Sequence, residues 1–97
     1  MNKQYYVYII TNQAASTFYI GVTDNLIRRI YEHKEELIEG FSKKYKLHNL
    51  VYSEVAMSAI EAIEREKQLK RWHRRWKINL IKILNPNFDD LYETIIG

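Results

Sequence analysis

The chain has 97 residues, which suits one domain with one modest core that buries about 60–65% of the unfolded surface. It contains no cysteine, which excludes disulfides, Cys-ligated metals and a Cys nucleophile, and its single proline and three glycines leave no flexible linker. The formal net charge is +3, no stretch approaches the ~18 apolar residues of a membrane span, and the first residues lack the apolar run of a signal peptide, so a cytoplasmic location is expected.

Two β-strands joined by a short loop are predicted first. Residues 5–11 (YYVYIIT) are β-branched or aromatic at both alternating sets of positions, which indicates a central strand covered on both faces. Residues 12–16 have the length of a hairpin loop, so residues 17–21 should return antiparallel beside the first strand and end in a turn at Gly21. This pairing should bring Tyr8 and Tyr19 close together on the sheet.

A helix is predicted to follow, with Thr23 or Asp24 as its N-cap. Apolar residues with helical spacing define its buried stripe: Leu26, Ile27, Ile30, Leu37 and Ile38. Arg29 and His33 are i, i+4 neighbours at the edge of this stripe. One interpretation is that both side chains extend from the helix border toward solvent, and the other is that they belong to a functional site.

A basic, aromatic connection leads to a third strand. Gly40 is expected to end the helix, and the connection at 41–46 could touch a phosphate backbone. Three of its side chains are candidates for DNA contact: Lys43, Lys44 and Tyr45. Residues 50–56 (LVYSEVA) are typical of a strand, and Ser58 with Glu61 has the spacing of a capping box that opens a second helix.

One acidic residue lies on the apolar face of this second helix. That face is predicted from four residues: Ala59, Ala62, Ile63 and Leu69. Glu66 falls in the middle of it, where an unpaired carboxylate would cost several kcal/mol. Two interpretations stay open: Glu66 forms an ion pair with Arg29 or Lys70 that fixes packing, or it holds a cation.

The positive charge is concentrated late in the chain. Residues 64–82 carry eight Lys or Arg against two Glu, a net +6, which suits a polyanion such as DNA. The candidate DNA-binding residues here are Lys70, Arg71, Arg74, Arg75 and Lys77. Trp72 and Trp76 could lie against a base or sugar, or could belong to the core. We expect two helices with a break near residues 73–75, ending at residues 85–86 (Asn-Pro).

Taken together, these segments resemble the GIY-YIG nuclease superfamily, and most closely its small stand-alone bacterial members. The resemblance covers about residues 5–86 and rests on five strings: Val7-Tyr8-Ile9, Tyr19 to Thr23, Arg28 to His33, Phe41 to Tyr45, and Arg65 to Trp72 followed by Asn85-Pro86. It implies an α+β fold, a three-stranded antiparallel sheet flanked by helices in the order β-β-α-β-α-α. We therefore expect a single domain over residues 1–97, with a short tail at 87–97 that docks as a turn.

The resemblance also implies a site and a reaction. Tyr8, Tyr19, Arg29, His33 and Glu66 would form the active site of a metal-dependent DNA endonuclease, which could be structure-specific and linked to repair or recombination. Glu66 would hold one Mg²⁺ or Mn²⁺, and no other small-molecule cofactor is expected. A tyrosine would activate the water, with His33 as a proton acceptor, but the sequence leaves open which tyrosine does so.

A different class of function is also compatible with the sequence. The same fold could serve as a non-catalytic nucleic-acid-binding domain, and a protein-interaction module is a third alternative. The joint presence of Tyr8, Tyr19, Arg29 and Glu66 favours the enzyme, because a simple DNA binder would not need a carboxylate facing its own phosphate site.

Overall fold

The computed structural model describes residues 3–97, and Met1 and Asn2 lie outside the described residues. One antiparallel sheet has the strand order β2-β1-β3. The elements in chain order are β1 (Tyr5–Thr11), β2 (Phe18–Thr23), α1 (Leu26–Lys34), α2 (Phe41–Lys44), β3 (Asn49–Ala56), α3 (Ala59–Arg71), α4 (Arg74–Leu84) and α5 (Tyr92–Ile96). This confirms the α+β class and the three-stranded antiparallel sheet. The short helices α2 and α5 are additions to the predicted order.

The central strand β1 is covered on both faces, as its continuous apolar pattern predicts. Val7 and Ile9 belong to a core cluster with Ala62 and Leu69 of α3, whereas Tyr8 belongs to a second cluster with Leu26 and Ile30 of α1 and with Ile10, Leu47 and Leu50. The sheet is therefore a middle layer, with α1 on one side and α3 on the other. Because β1 lies between its neighbours, β2 is left as an open edge.

The turn predicted at Gly21 is wrong. Gly21 lies inside β2, where it pairs with Tyr8 of β1, and the strand continues to Thr23. A glycine within a strand interior is instead typical of a place where another group approaches the backbone closely. Here that group is the ring of Tyr8.

Helix α1 differs from its prediction at both ends. Its N-cap is Asn25, whose side chain accepts a hydrogen bond from the Arg28 amide at 3.1 Å, rather than Thr23 or Asp24. The helix ends at Lys34, and the chain turns at Glu36, which has a φ of 56°. Two members of the predicted stripe are exposed for that reason or by their direction on the helix, namely Leu37 and Ile27. The residues that α1 buries are Leu26, Ile30 and His33.

Gly40 begins a helix instead of ending one. It is the N-cap residue of α2 with a φ of 118°, a conformation that L side chains rarely adopt. The segment predicted as a connection at 41–46 therefore starts with one helical turn.

The second half of the chain follows its prediction more closely. The Ser58 side chain accepts from the Glu61 amide at 3.1 Å, while Glu61 Oε2 accepts from the Met57 amide, one residue earlier than in the standard capping box. The break between α3 and α4 falls at Trp72 and His73, as expected. On α3 the inward residues are Ala62 and Leu69, whereas Ile63 is exposed.

The C-terminal segment docks as a helix rather than as a turn. Asn85 is buried and donates to the carbonyl oxygens of Val51 and Asp89, at 3.1 and 2.9 Å. The Asp90 carboxylate accepts from the Leu50 amide and from Lys34. Apolar side chains from residues 91–95 pack against the second core cluster: Leu91, Tyr92 and Ile95. These contacts join the end of the chain to α1 and β3.

Candidate active site

The centre of the candidate site is a buried chain of three polar side chains. The Tyr8 hydroxyl lies 2.9 Å from His33 Nε2, and His33 Nδ1 lies 3.0 Å from the Ser42 hydroxyl. All three residues are buried, with Tyr8 only 1% exposed. Because both ring nitrogens of His33 have a partner, the imidazole is fixed in position between β1 and α2. The predicted extension of His33 to solvent is wrong.

Gly21 leaves the space that the Tyr8 ring occupies. A Cβ at position 21 would lie 2.8 Å from Tyr8 Cε1 and closer still to Cζ and the hydroxyl oxygen. Gly21 and Tyr8 are directly paired across β2 and β1, so the ring tip lies over the glycine backbone. The glycine is required here because of this close approach.

Burial sets the protonation of the central pair. Burial, with smaller contributions from Tyr19 and Glu66, raises the pKa of Tyr8, and the neighbouring Arg29 guanidinium opposes this shift. Burial and the positive charge of Arg29 lower the pKa of His33 to about 4. At neutral pH, Tyr8 is therefore a protonated phenol beside a neutral imidazole. In such a pair one ring nitrogen can accept a proton.

Tyr19 and Arg29 lie beside this buried pair. The Tyr19 ring is 6.4 Å from the Tyr8 ring and 5.8 Å from the His33 ring, between centroids, which confirms the expected proximity of the two tyrosines. Arg29 is partly exposed, and its Nε donates to Glu32 Oε1 at 3.2 Å. Pairs of this exposure contribute little to stability, so the guanidinium is available to another anion.

Glu66 lies at the rim of the site rather than in the core. Its side chain is 21% exposed, and Lys70 Nζ is its ion-pair partner at 3.5 Å, while Arg29 pairs with Glu32. Of the two partners considered from the sequence, Lys70 is thus the observed one. The carboxylate is near enough to Tyr8 for its charge to raise the pKa of the phenol.

The residues at this position fit a hydrated divalent cation. Within residues 3–97, no group of three or more His, Cys, Asp or Glu could hold a metal ion, which argues against a cage made of protein ligands alone. Mg²⁺ usually keeps several waters and takes only one or two carboxylates. A single partly exposed carboxylate such as Glu66 matches that requirement, and its long contact with Lys70 leaves oxygen lone pairs available.

The predicted DNA-binding residues fall into separate groups. Lys70 and Lys77 line a pocket at the β2 edge together with Tyr19 and Phe41. Lys44 and Tyr45 line another depression, beside the β1–β2 loop. Arg71 lies on the outer surface of α3, and Arg75 is exposed on α4. The remaining two already have protein partners: Lys43 pairs with Glu39, and Arg74 donates to the Ala15 carbonyl and lies over Phe18.

The tryptophans divide between the two interpretations made from the sequence. Trp72 packs partly against the first core cluster, whereas Trp76 is 53% exposed. The indole rings touch edge to face, with centroids 5.8 Å apart. Only Trp76 therefore offers a substantial free surface.

Sequence reasoning did not assign a role to Ser42 or Phe41. Ser42 holds the second nitrogen of His33, and Phe41 brings an exposed aromatic ring beside Tyr19. Both lie in the string Phe41 to Tyr45, so the signal was present, but a serine hydroxyl gives no pattern that identifies its partner nine residues away. Only the turn made by α2 brings them together.

Comparisons with known proteins agree with this geometry. Within residues 3–97, no helix is long and apolar enough to cross a membrane. A family model described as the GIY-YIG catalytic domain matches residues 4–79. A UPF0213 protein of Desulfotalea psychrophila is 32% identical over 89 residues, which cover 91% of this chain and 80% of the relative. A UPF0213 protein of Staphylococcus haemolyticus is 33% identical over 79 residues, with 81% and 95% covered.

A solved structure shares the fold. The solution NMR structure of the UPF0213 protein BH0048 from Bacillus halodurans superposes with a TM-score of 0.56 at 25% identity, covering 90% of this chain and 92% of that chain. The matched family model and the curated relatives extend over most of the sequence. The chain therefore belongs to the GIY-YIG nuclease family.

Proposed function

We propose that the protein is a metal-dependent DNA endonuclease that hydrolyses a phosphodiester bond. The observation that supports this most strongly is the convergence of four groups on one phenol. The Tyr8 hydroxyl is hydrogen-bonded to His33, packed over Gly21, and influenced by the charges of Arg29 and Glu66. Perturbed titratable groups of complementary type that share one location are typical of catalytic sites.

Of the two tyrosines, we assign proton removal to Tyr8. Its hydroxyl has a proton acceptor at hydrogen-bond distance, the Nε2 atom of His33. Because the pKa of Tyr8 is raised, the phenol acts as a relay: it takes a proton from the attacking water while its own proton moves to His33. Ser42 accepts from Nδ1–H in this arrangement and so keeps Nε2 free of a proton. Tyr19, at the edge of the pocket, positions the DNA.

Arg29 and Glu66 supply the electrostatic part of the mechanism. The planar Arg29 guanidinium can give two hydrogen bonds to the phosphate, where negative charge develops during attack. Glu66 is the residue that would hold Mg²⁺ or Mn²⁺. When bound, the ion supplies positive charge that stabilises the phosphate oxygens and offsets the Glu66 carboxylate, whose charge otherwise raises the pKa of Tyr8.

The test is cleavage of labelled DNA by the wild type and by Glu66→Gln. Branched, nicked, single-stranded and duplex DNA should be compared in Mg²⁺, in Mn²⁺ and in EDTA, because the family resemblance implies a role in repair or recombination. We expect metal-dependent cutting by the wild type and its loss in Glu66→Gln. Glu64→Gln, an exposed acid on the same helix, is the matched control and should cut normally.

Stability separates a metal ligand from a structural ion pair. Since Lys70 is half exposed, neutralising Glu66 leaves no cation stranded in the interior, and the free energy of unfolding in EDTA should change by less than about 1 kcal/mol. A Glu66→Gln protein that is markedly less stable yet still cuts DNA would refute the metal assignment. Metal-independent binding without cutting by the wild type would instead favour the non-catalytic DNA-binding module.

A further inference from the structure

The open edge of β2 carries a pocket that the proposed hydrolysis does not require. It has a volume of about 260 Å³ and is lined by Phe18, Tyr19 and Ile20 of β2, Phe41 of α2, Lys70 of α3 and Lys77 of α4. This is smaller than most small-molecule sites, which enclose about 300–1,000 Å³. The lining contains aromatic rings and two cations and no acid. Such a lining suits a flat group attached to an anion.

Phe41 gives the pocket an aromatic surface that the fold leaves partly uncovered. Its ring is 47% exposed and lies nearly parallel to the ring of Tyr19, at an interplanar angle of 26° with centroids 6.5 Å apart. On its other side Phe41 touches Tyr45, 44% exposed, with centroids 4.7 Å apart. An exposed cluster of large rings beside a candidate active site is uncommon unless it has a binding role.

The two lysines place positive charge next to that surface. Lys77 is half buried, and burial together with Arg74 lowers its pKa, so this cation is only partly hydrated and gains from an anion. Lys70 is exposed and reaches the same pocket from α3. Phe18 contributes little free surface, because Arg74 lies over its ring and Phe88 packs against it. Phe41 is therefore the main stacking surface.

We propose that this pocket binds one unpaired nucleotide of the DNA substrate, with its base against Phe41 and its phosphate near Lys70 and Lys77. This inference deepens the endonuclease proposal and rests on it for the identity of the nucleic acid. A base inside a duplex has both faces stacked on neighbouring bases, so it can reach a protein aromatic ring only when unpaired or extruded. The enzyme thus acts where single-stranded DNA adjoins the scissile phosphate.

Binding in EDTA tests the pocket without any dependence on cleavage. The probes are a fluorescein-labelled single strand, a blunt duplex of equal length, and a single strand of the same length whose bases are replaced by abasic residues. Phe41→Ala should weaken binding to the single strand at least about fivefold, since stacking of one base is worth about 1 kcal/mol or more. Affinity for the duplex and for the abasic strand should stay within about twofold.

Two matched variants control for general effects. Tyr31→Ala removes a ring of similar exposure from the outer face of α1, and Lys82→Met removes a charge from the same helix as Lys77. Tyr31→Ala should bind all probes like the wild type. Lys77→Met should weaken binding to both the normal and the abasic single strand, and by more than Lys82→Met does, because its contact is with phosphate.

The outcomes distinguish this proposal from the endonuclease proposal. Equal losses for Phe41→Ala on single strand and duplex, or no loss relative to Tyr31→Ala, would overturn the nucleotide pocket even if the wild type cuts DNA. The expected selective loss in a wild-type background that never cuts DNA would support the pocket and refute the enzyme. Wild-type protein that binds no single strand at all would overturn the pocket as well.

Discussion

The contact between Gly21 and Tyr8 gives the most direct test of how the site is built. In Gly21→Ala the new methyl group would lie 2.8 Å from Tyr8 Cε1, whereas ordinary contacts begin at 3.4 Å. The ring must therefore retreat by at least about 0.6 Å, the difference between these distances. Because Tyr8 is buried, this movement pushes the phenol against its surroundings and disturbs the 2.9 Å hydrogen bond to His33.

The expected cost can be worked out from three contributions. Overpacking of a core site costs about 1–3 kcal/mol, and losing the hydrogen bond adds about 1 kcal/mol. Alanine is better than glycine in a strand by about 0.5–1 kcal/mol, which offsets part of this. We therefore expect Gly21→Ala to lower the free energy of unfolding by about 2 kcal/mol, measured by urea denaturation in EDTA.

A double-mutant cycle with Tyr8→Leu shows whether the ring is the cause. In the Tyr8→Leu background the clash is absent, so Gly21→Ala should cost nothing or stabilise slightly, and the coupling energy should be about 2 kcal/mol. Ser53→Ala, at the position that pairs with Tyr8 on the other side of β1, is the control for a general disturbance of the sheet. Costs that simply add in the double mutant would refute this account of Gly21.

Three further outcomes follow from the same structure. His33 has a folded pKa of about 4, below the ~6.5 of the unfolded chain, so stability should be constant above pH ~6.5 and fall by about 1 kcal/mol between pH 7 and 5.5, and His33→Gln should remove this slope in urea titrations. Arg29→Lys keeps the charge but loses the planar fork, so it should lower the cleavage rate about tenfold or more in single-turnover assays with nearly unchanged DNA affinity, and equal losses would mark a simple backbone anchor. Reversal of Arg71, Arg74 and Arg75 to Glu should weaken duplex binding regardless of sequence and reduce its salt dependence, by about 0.9 in log K against log salt per lost phosphate contact, and unchanged binding at low salt would exclude this surface.

The strands were predictable from sequence because their signal is local. The continuous β-branched and aromatic run of β1 has one physical interpretation, a strand buried on both sides, and the structure confirms it. The end of α1 was not predictable in the same way. Apolar residues continue at helical spacing to Leu37, and the turn occurs at Glu36 with a positive φ that no Gly or Pro announces.

The site was predictable as a set of residues but not as an arrangement. The helical pattern placed Arg29 and His33 on one border and Glu66 on an apolar face, which singled them out. It could not show that His33 turns inward to Tyr8, because that contact joins residues 25 apart in the chain. Gly21 was taken as a turn signal, and its true cause, the ring that lies over it, exists only once β1 and β2 are paired.

The position of β2 as an edge strand connects the fold to the proposed chemistry. An exposed strand edge can pair with another chain, and natural proteins prevent this with nearby charges, especially lysine. Lys70 and Lys77 approach this edge from α3 and α4, on the opposite side from Phe41. Charge at this location therefore has two consequences: it disfavours the addition of a protein strand, and it favours a polyanion. Replacing both lysines by Met should accordingly weaken DNA binding and also increase self-association, which sedimentation velocity can measure. A double variant that loses DNA affinity but stays monomeric at high concentration would show that the lysines serve binding alone.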